Sequence, residues 1–400
     1  MTTGRVEGLT HLGMGKLTDG TLVPRVLPGE RVELDGDSVR VLDPVADRVA
    51  PPCRHFKSCG GCSMQHASED LVADWKVGIV RRACELRGLE TDIGGLHTSP
   101  PRSRRRAKFA GRRTKNGALV GFHARGSDTV IAVPDCQLVT PGLLATLPAL
   151  EALTIAAGTR KGELSFTVTE TVTGPDVLIG ADRDVPDTLR TDLAAIARDH
   201  GLSRLTWNDE PVAQRDPPAL RFDGIAVEPP PGAFLQATED GERALRAAVA
   251  DIVGDAGRIV DLFAGCGTFA LPLARTADVH AVEGDAALTA ALDRGWRRAQ
   301  GLKRVTTEAR DLFRRPLEPD ELRRFDAAVI DPPRAGAEAQ VGRLAAAGPP
   351  RIAMVSCNPV TFARDAAALV EGGYRMGRIL VVDQFRWSAH VELVCGFTRA

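Results

Sequence analysis

Two short polar turns, each placed directly after an apolar segment, carry residue types that can do chemistry. Asp331-Pro-Pro-Arg334 follows FDAAVI, and Ser356-Cys357-Asn358-Pro359 follows RIAMV. A lone cysteine at the end of a strand is usually a small buried hydrophobic residue. The polar neighbours of Cys357 instead favour an exposed, shaped turn, which makes this thiol a candidate for chemistry.

A glycine-rich turn indicates a site for an adenosine-containing ligand. The segment DLFAGCGTF begins at Asp261 at the end of an apolar strand and opens a helix, with Gly265 and Gly267 at the turn. Glycines there let the backbone approach a ligand closely. Glu283 ends the next strand, where its carboxylate can accept both hydroxyls of a ribose. Asp311 follows the third strand-like piece, within reach of an adenine.

Three cysteines within ten residues form a candidate metal-binding set. Cys53, Cys59 and Cys62 include a Gly-Gly turn that is tight enough to bring their thiols together. In a reducing compartment such cysteines are better candidates for metal binding or catalysis than for disulfides. Cys136 is the candidate fourth ligand and would clip two distant segments together. Ligand count alone leaves both zinc and an iron–sulfur cluster open.

A basic run without any acidic residue lies in residues 102–115. Its members are Arg102, Arg104, Arg105, Arg106, Lys108, Arg112, Arg113 and Lys115. Their alternation around Phe109 suits a strand that presents a basic face. Phosphate contacts from such a face would give salt-dependent, sequence-independent affinity. An ordinary solvated charged surface is the alternative interpretation.

The elements before residue 230 indicate a small β module and a mixed central region. Residues 1–45 consist of short strand-like pieces split by turn signals, which is typical of a small β-barrel. A helix is predicted near 68–87. From about 100 to 230, strand-like pieces alternate with one clear helical segment, TLRTDLAAIARDHG.

The elements after Pro229-Pro230-Pro231 follow a different pattern. Three prolines in a row cannot sit inside a helix or a strand ladder, so they mark a boundary. Apolar strands then alternate with helical segments, including one near 336–346. This alternation predicts an α/β domain with a mostly parallel sheet and helices on both faces. In such a sheet the turns at Asp331 and Cys357 lie at the carboxyl edge, beside the glycine turn.

The composition is that of a globular protein with two or three domains. The chain has 400 residues, of which 44% are hydrophobic and 26% charged. A net charge of −1 gives no global indication of nucleic-acid binding. No stretch approaches the ~18 apolar residues of a membrane span, and the N-terminus lacks the apolar core of a secretory signal. We therefore expect a cytoplasmic protein without a membrane partner.

Four motifs together resemble one enzyme family. DLFAGCGTFALPLA, DPPRAG, MVSCNPVTFARD and QFRWSAHVELV look like the motifs of bacterial uridine-5 methyltransferases of ribosomal and transfer RNA. The resemblance covers nearly the whole chain and implies a C-terminal Rossmann-like class I methyltransferase domain. It implies methyl transfer from S-adenosylmethionine to carbon 5 of a uridine. Cys357 is then the covalent nucleophile, and Glu392 is the base that removes the hydrogen from carbon 5.

The same resemblance assigns residues to the cofactor. The family pattern F-x-Q is Phe234-Leu-Gln236 here, and its glutamine contacts the cofactor. Thr238 and Thr268 stand where asparagines are common in the family. The candidate cofactor-binding residues are Gln236, Phe263, Gly265, Thr268, Glu283, Asp311 and Asp331.

The cysteine order, with Gln65-His66 beside it, resembles the iron–sulfur branch of this family. It implies a 4Fe–4S cluster held by Cys53, Cys59, Cys62 and Cys136. The N-terminal segment resembles a shortened TRAM domain, an OB-like RNA-binding β-barrel. The expected organisation is a TRAM-like module in residues 1–45, an iron–sulfur and RNA-recognition region in 46–230, and the methyltransferase domain in 231–400.

Several alternatives stay open. The expected partner is RNA and not DNA; 23S rRNA is the favoured substrate and transfer RNA the alternative, while the oligomeric state is left open. A non-enzymatic RNA-binding iron–sulfur protein is a second alternative, against which Cys357 and Glu392 argue. A nicotinamide oxidoreductase is a third, although the spacing D-x-F-x-G-x-G differs from the G-x-G-x-x-G of dinucleotide sites.

Overall fold

The N-terminal segment folds as an antiparallel half-barrel. A computed structural model describes residues 2–36 and 38–399 of the chain. The half-barrel contains β1 (Thr2–Leu9), β2 (Met14–Leu17), β3 (Leu22–Pro24), β4 (Arg31–Asp35) and β5 (Ser38–Asp43). Their order in the sheet is β3-β2-β1-β4-β5. Val6, Leu17 and Val32 are the centre of its small core.

A helix and a strand follow the cysteine-bearing segment. The helix α1 (Glu69–Glu85) begins where the hydroxyl of Ser68 accepts a hydrogen bond from the backbone N–H of Leu71. This confirms the helix predicted near 68–87. The strand β6 (Ile93–Thr98) then leaves the region and joins the edge of the C-terminal sheet.

The central region is a mixed sheet covered by helices. Its strands are β7 (Arg106–Arg113), β8 (Ala118–His123), β9 (Val130–Ala132), β10 (Leu164–Thr171), β11 (Gly174–Gly180), β12 (Arg204–Trp207) and β13 (Glu210–Gln214). Its helices are α2 (Pro141–Ala145), α3 (Leu147–Ala157) and α4 (Asp187–Asp199). The strand order is β13-β12-β11-β10-β7-β8-β9.

The expectation of one clear helix in this region was wrong, because the short helix α2 and the longer helix α3 are present as well. The α3 sequence LPALEALTIAA is apolar nearly all round, so it lacks the polar face that makes a helical period visible. Most of its length is buried, including Leu147, Leu150 and Leu153.

The C-terminal part alternates strands and helices as predicted. A hairpin of β14 (Leu220–Phe222) and β15 (Ile225–Val227) precedes it. Its helices are α5 (Glu239–Val253), α6 (Ala270–Leu273), α7 (Ala286–Arg298), α8 (Pro319–Leu322), α9 (Glu338–Ala347) and α10 (Pro359–Glu371). Its strands are β16 (Arg258–Leu262), β17 (Asp278–Glu283), β18 (Val305–Ala309), β19 (Ala327–Ile330), β20 (Arg351–Ser356), β21 (Arg375–Asp383) and β22 (Glu392–Thr398).

One eight-stranded sheet organises this part, in the order β18-β17-β16-β19-β20-β22-β21-β6. The pairs from β18 to β20 are parallel, and β22 is antiparallel to both of its neighbours. Successive side chains point to opposite faces, so Ile259 packs in one core and Val260 in the other. The mostly parallel α/β fold with helices on both faces is therefore confirmed.

Part of this sheet comes from a segment that precedes Pro229-Pro230-Pro231 in the sequence. β6 pairs in parallel with β21, and Val80 of α1 packs in the same core as Phe362 of α10. The expected limits at residues 45 and 230 stay a prediction about folding units. Among the helices of the described residues, none is long and apolar enough to cross a membrane.

Candidate active site and cysteine pocket

A cavity of about 490 Å³ lies at the carboxyl edge of the parallel strands. The loops after β16, β17, β19 and β20 and the start of β22 contribute to its wall. All nine residues predicted for catalysis or cofactor binding line it, namely Gln236, Phe263, Gly265, Thr268, Glu283, Asp311, Asp331, Cys357 and Glu392. Parallel strands bring their carboxyl ends to one edge, which explains why distant motifs meet here.

The glycine turn fixes a carboxylate at one end of the cavity. Phe263, Gly265 and Gly267 all have left-handed backbone, with φ of 63°, 56° and 102°. At Gly267 a Cβ would come within 2.8 Å of Leu271, so the turn has no room for a side chain there. The backbone N–H of Gly265 donates to one oxygen of Glu283 at 3.0 Å. The Glu283 carboxylate is thereby held facing the cavity.

Two aromatic rings and Asp311 form the neighbouring wall. The rings of Phe263 and Phe313 lie 5.4 Å apart, centre to centre, and are tilted against each other. Phe313 is half exposed, and its backbone N–H donates to Asp311 at 3.0 Å. This part of the cavity thus combines apolar ring surface with a fixed carboxylate, as a purine with its ribose requires.

The turn that holds Cys357 is built by its neighbours. Asn358 caps α10 by accepting from Val360 N–H at 3.1 Å, and its amide nitrogen donates to the carbonyl of Arg334 at 2.9 Å. The Cys357 thiol is half-buried, and burial raises its pKa to about 11, with Glu392 and then Asp331 adding to the rise. The Arg334 guanidinium lowers the pKa of this thiol, against these effects.

A chain of amides and carboxylates joins the two ends of the cavity. Glu392 is buried at the start of β22 and accepts a hydrogen bond from the side chain of Gln384. Gln384 also donates to Gln236 at 2.5 Å, and Gln236 donates to Asp331 at 3.2 Å. Burial raises the pKa of Glu392 to about 8 and that of Asp331 to about 7. Both acids therefore titrate near neutral pH.

The loop between β21 and β22 is held by the cysteine-bearing segment. Lys76 of α1 is fully buried and pairs with Asp383 at 2.5 Å. The carbonyl of Trp387 accepts from the backbone N–H groups of Ser63 and Met64, which directly follow Cys62. The loop that leads to Glu392 is thus fixed by chain more than 300 residues earlier.

Four cysteines line one small apolar pocket, together with Phe56 and Phe122. They are Cys53, Cys59, Cys62 and Cys136, the four predicted metal ligands. Backbone N–H groups donate to the sulfurs of Cys59 (3.3 Å) and Cys136 (3.4 Å). Burial raises the pKa of Cys62 to about 12. In the described part of the chain, no group of three or more His, Cys, Asp or Glu side chains is arranged to hold a single metal ion.

Known proteins that resemble this chain are RNA methyltransferases. An uncharacterized RNA methyltransferase of Rhizobium meliloti is 43% identical over 98% of this chain and 99% of its own. The 23S rRNA (uracil(1939)-C(5))-methyltransferase RlmD of Alkalilimnicola ehrlichii is 34% identical over 98% of this chain and 96% of its own. The family model described as tRNA (Uracil-5-)-methyltransferase matches residues 298–399. This chain belongs to the RNA uracil-5-methyltransferase family.

A solved structure shares the fold of this methyltransferase. The tRNA (uracil-54, C5)-methyltransferase of Pyrococcus abyssi, in complex with S-adenosyl-L-homocysteine, aligns with a TM-score of 0.75. The alignment covers 99% of this chain and 100% of that one, at 22% sequence identity. The RNA methyltransferase described here is S-adenosylmethionine-dependent, as its family membership requires.

The basic run of this methyltransferase is only partly a surface. Arg105 is partly buried and pairs with Glu242, and Arg106 donates to the carbonyl of Gly232 at 3.0 Å. These arginines join the central sheet to the segment before α5. Lys108 and Arg113 on β7 are exposed. The expectation that the whole run forms one basic face was therefore too broad.

Sequence reasoning missed three groups around the cavity. Gln384 and Lys76 hold the loop before Glu392, and the Phe385 ring lines the cavity. Gln384 and Phe385 are the first two residues of the motif QFRWSAHVELV, but the residues they contact are too distant in sequence for these contacts to be predicted. Lys76 gave no signal, because a lysine within a helix is normally solvated.

Proposed function

We propose that this enzyme methylates carbon 5 of a uridine in 23S rRNA through a covalent adduct between Cys357 and the uracil ring. One observation supports the chemistry above all others. Cys357 and Glu392 open into the same cavity as Glu283, Asp311 and the Phe263 ring. A nucleophile, a base and a nucleoside-binding wall thus share one space.

The glycine-turn end of the cavity suits S-adenosylmethionine, which supplies an electrophilic methyl group when bound. The Glu283 carboxylate accepts hydrogen bonds from the ribose hydroxyls, and the Asp311 carboxylate accepts one from the amino group of the adenine. Phe263 offers the adenine an apolar face. Gly265 and Thr268 line the approach of the ligand, while Gln236 and Asp331 lie nearer the methionine part. Since the cavity is lined by several carboxylates, it also attracts the positive sulfonium.

The thiolate of Cys357 adds to carbon 6 of the uracil, which moves the double-bond electrons toward carbon 5 and the carbonyl oxygen. Carbon 5 then attacks the methyl carbon, and the bond between methyl and sulfonium sulfur breaks with its electrons left on sulfur. The Glu392 carboxylate removes the hydrogen on carbon 5 as a proton. The electrons of that bond restore the double bond, and the carbon–sulfur bond to Cys357 breaks to release the thiolate.

The electrostatics of the site fit these roles. A base works best when its pKa lies near the working pH, and burial has raised the pKa of Glu392 to about 8. Arg334 lowers the pKa of the Cys357 thiol, against the effect of burial and of the two carboxylates. A bound sulfonium acts in the same direction as Arg334, so thiolate formation is favoured once the donor is in place.

The substrate assignment rests on the relative named as a 23S rRNA methyltransferase, whose similarity spans nearly the whole chain. Transfer RNA is the second candidate, favoured by the description of the matching family model. Exposed Lys108 and Arg113 on β7 supply phosphate contacts, and the half-barrel offers a further RNA surface. The uridine must leave its stack to reach Cys357, at a cost of a few kcal/mol that such contacts offset.

The chemistry of the four-cysteine pocket supports the proposal of a 4Fe–4S cluster. All four thiols face one apolar pocket, and backbone N–H groups donate to two of the sulfurs, as is usual for cluster ligands. Cys53, Cys59, Cys62 and Cys136 would hold the irons, and the cluster would supply a permanent clip between two segments. Anaerobically purified protein should contain about four irons and four sulfides per chain. A colourless protein with one zinc would replace the cluster while keeping the ligands.

The three parts of the chain have separate roles in this proposal. Residues 1–45 and the region 46–230 bind RNA and hold the cluster, and residues 231–400 carry out methyl transfer. The second part also contributes β6 to the catalytic sheet and α1 to the core that covers one face of this sheet. Isolated residues 231–400 are therefore expected to be poorly soluble, because the edge of β21 would be open.

The decisive test uses Glu392→Gln, which removes the base but not the nucleophile. Addition and methyl transfer precede proton removal, so this variant should accumulate a methylated protein–RNA adduct joined through Cys357. Denaturing electrophoresis after incubation with S-adenosylmethionine and 23S rRNA fragments measures it, with Cys357→Ala/Glu392→Gln as the control. Normal turnover by Glu392→Gln would assign the base elsewhere. Mapping of 5-methyluridine in total RNA, with and without the gene, identifies the substrate.

A further inference from the structure

The Gln384 side chain has one amide orientation, and its neighbours dictate it. Its oxygen accepts from the backbone N–H of Thr238 at 3.3 Å. A backbone N–H can only donate, so the amide nitrogen must face the other way. That nitrogen then donates one hydrogen to Gln236 at 2.5 Å and the other to Glu392. Both hydrogens of a fully buried amide are thus committed.

We propose that Gln384 is a positioning residue for proton removal, holding one carboxylate oxygen of Glu392 so that the other faces the substrate as an ionised acceptor. This inference rests on the proposed function, in which Glu392 is the base. Gln384 is the one hydrogen-bond donor to the Glu392 carboxylate within residues 2–36 and 38–399. A donor that cannot rotate away favours the charged form of its acceptor.

The other charged groups around Glu392 do not replace the hydrogen bond that Gln384 donates to its carboxylate. Asp331 faces Glu392 from the loop after β19 and raises its pKa, whereas Arg334 from the same loop lowers it. The Cys357 thiol lies in the turn after β20, close enough to Glu392 for this carboxylate to raise the pKa of the thiol. His390 precedes Glu392 on its own segment and is hydrogen-bonded to Arg334. Burial and Asp331 thus oppose ionisation, and Gln384 is the donor that touches the carboxylate directly.

The same amide also orients the cofactor side. Because Gln236 accepts from Gln384 through its oxygen, its own nitrogen must point to Asp331, as the 3.2 Å contact records. Proton removal and donor binding therefore share one fixed chain of amides. Loss of the Gln384 donor should weaken the elimination step most, and S-adenosylmethionine binding by a smaller factor.

The test is Gln384→Met, which keeps the length of the side chain and removes both donors. In single-turnover assays, the methylated adduct should form at a rate within about threefold of the unmodified enzyme. Its elimination at pH 7 should be about tenfold slower, with the pH midpoint of elimination moved up by about one unit, the effect of one hydrogen bond to a carboxylate. At high pH the elimination rate should recover, which a merely structural defect would not do.

A matched control is Gln340→Met, which removes another fully buried glutamine; it bonds the backbone of Leu317 and is not among the residues that line the cavity. It should lower stability and leave the pH midpoint unchanged. Gln384→Glu is the second variant, because it keeps the acceptor for Thr238 and its shape. Its carboxyl must share one proton with Glu392, so the midpoint should again rise.

The outcomes separate the two proposals. An unshifted midpoint in both Gln384 variants, with adduct still collecting in Glu392→Gln, overturns the role of Gln384 alone. Absence of any Cys357-dependent adduct in Glu392→Gln overturns the proposed function itself. A shifted midpoint that recovers at high pH, with Gln340→Met unshifted, supports Gln384 as the positioning residue.

Discussion

The protein keeps thiols in two contrasting environments. Cys357 lines an open cavity, where its charged neighbours are the carboxylates Glu392 and Asp331 and the guanidinium of Arg334. The four thiols of the cysteine pocket face one another, with Arg125 bonded to the carbonyl of Cys62. Burial is the main cause of a raised pKa in both places, to about 11 for Cys357 and about 12 for Cys62.

The comparison teaches that burial alone does not assign a role to a cysteine. In the proposed mechanism, a thiolate at Cys357 needs positive charge only during the reaction, and a bound sulfonium beside Arg334 would provide it for that time. Thiolates in the cysteine pocket would repel one another, so a permanent cation, such as the iron of the proposed cluster, would be needed to hold them. One environment is thus suited to transient nucleophilicity and the other to lasting ligation.

The largest expected effect separates the two environments by activity. Cys357→Ala should lower methyl transfer at least ~1000-fold, because the alanine has no thiol to add to carbon 6. S-adenosylmethionine affinity, measured by calorimetry, should stay within about threefold, and iron content should be unchanged. Turnover above a few per cent of the normal rate would remove Cys357 from its role.

The second prediction reverses that pattern at the other thiols. Cys136→Ala should release iron and lower the melting temperature by about 10 °C, because cluster binding contributes to folding free energy. Iron assay and calorimetry measure the two effects, and Cys84→Ala, a buried cysteine on α1, is the control that should keep its iron. Full iron content in Cys136→Ala would exclude it as a ligand.

A smaller effect tests the charges around Cys357. Glu392→Gln removes a negative neighbour, so the pKa of the Cys357 thiol should fall and its alkylation by iodoacetamide should be about threefold faster at pH 9. At pH 6.5 the difference should nearly vanish, because Glu392, with a pKa of about 8, is then already neutral. Mass spectrometry of the Cys357 peptide gives the rates. Equal rates at both pH values would show that Glu392 does not influence this thiol.

The smallest effect concerns stability. The pKa of Glu392 is raised from 4.5 to about 8 on folding, so the stability present below pH 4.5 is lost as the pH rises through 8. Glu392→Gln should therefore lose less stability than the unmodified protein between pH 5 and pH 8, seen as a flatter melting-temperature curve. Glu338 lies on the exposed side of α9. The melting-temperature curve of Glu338→Gln should therefore have the same pH dependence as that of the unmodified protein.

Much of the active site could be predicted because each residue sits where a visible strand ends. Glu283, Asp331 and Cys357 directly follow or close apolar segments, and parallel strands bring such ends together. The grouping of the pocket cysteines could also be predicted, because three of the four lie within ten residues of the sequence.

The remaining features depend on partners that no local pattern records. Gln384 and Gln236 are 148 residues apart, and Arg105 and Glu242 are 137 apart. From the sequence, Arg105 was therefore taken for a solvent-facing charge, although its side chain is partly buried and pairs with Glu242. Helix α3 was missed for a different reason, since it is packed on several sides and lacks the polar stripe that reveals a period.

The position of β6 at the edge of the catalytic sheet has a consequence for synthesis on the ribosome. β6 leaves the exit tunnel long before β21, the strand to which it bonds. Until residues 375–383 emerge, its backbone groups have no partner, and a nascent chain stalled before that point presents an open strand edge to chaperones. The catalytic sheet is therefore completed only after residues 375–383 have emerged, and β6 stays without its partner strand until then.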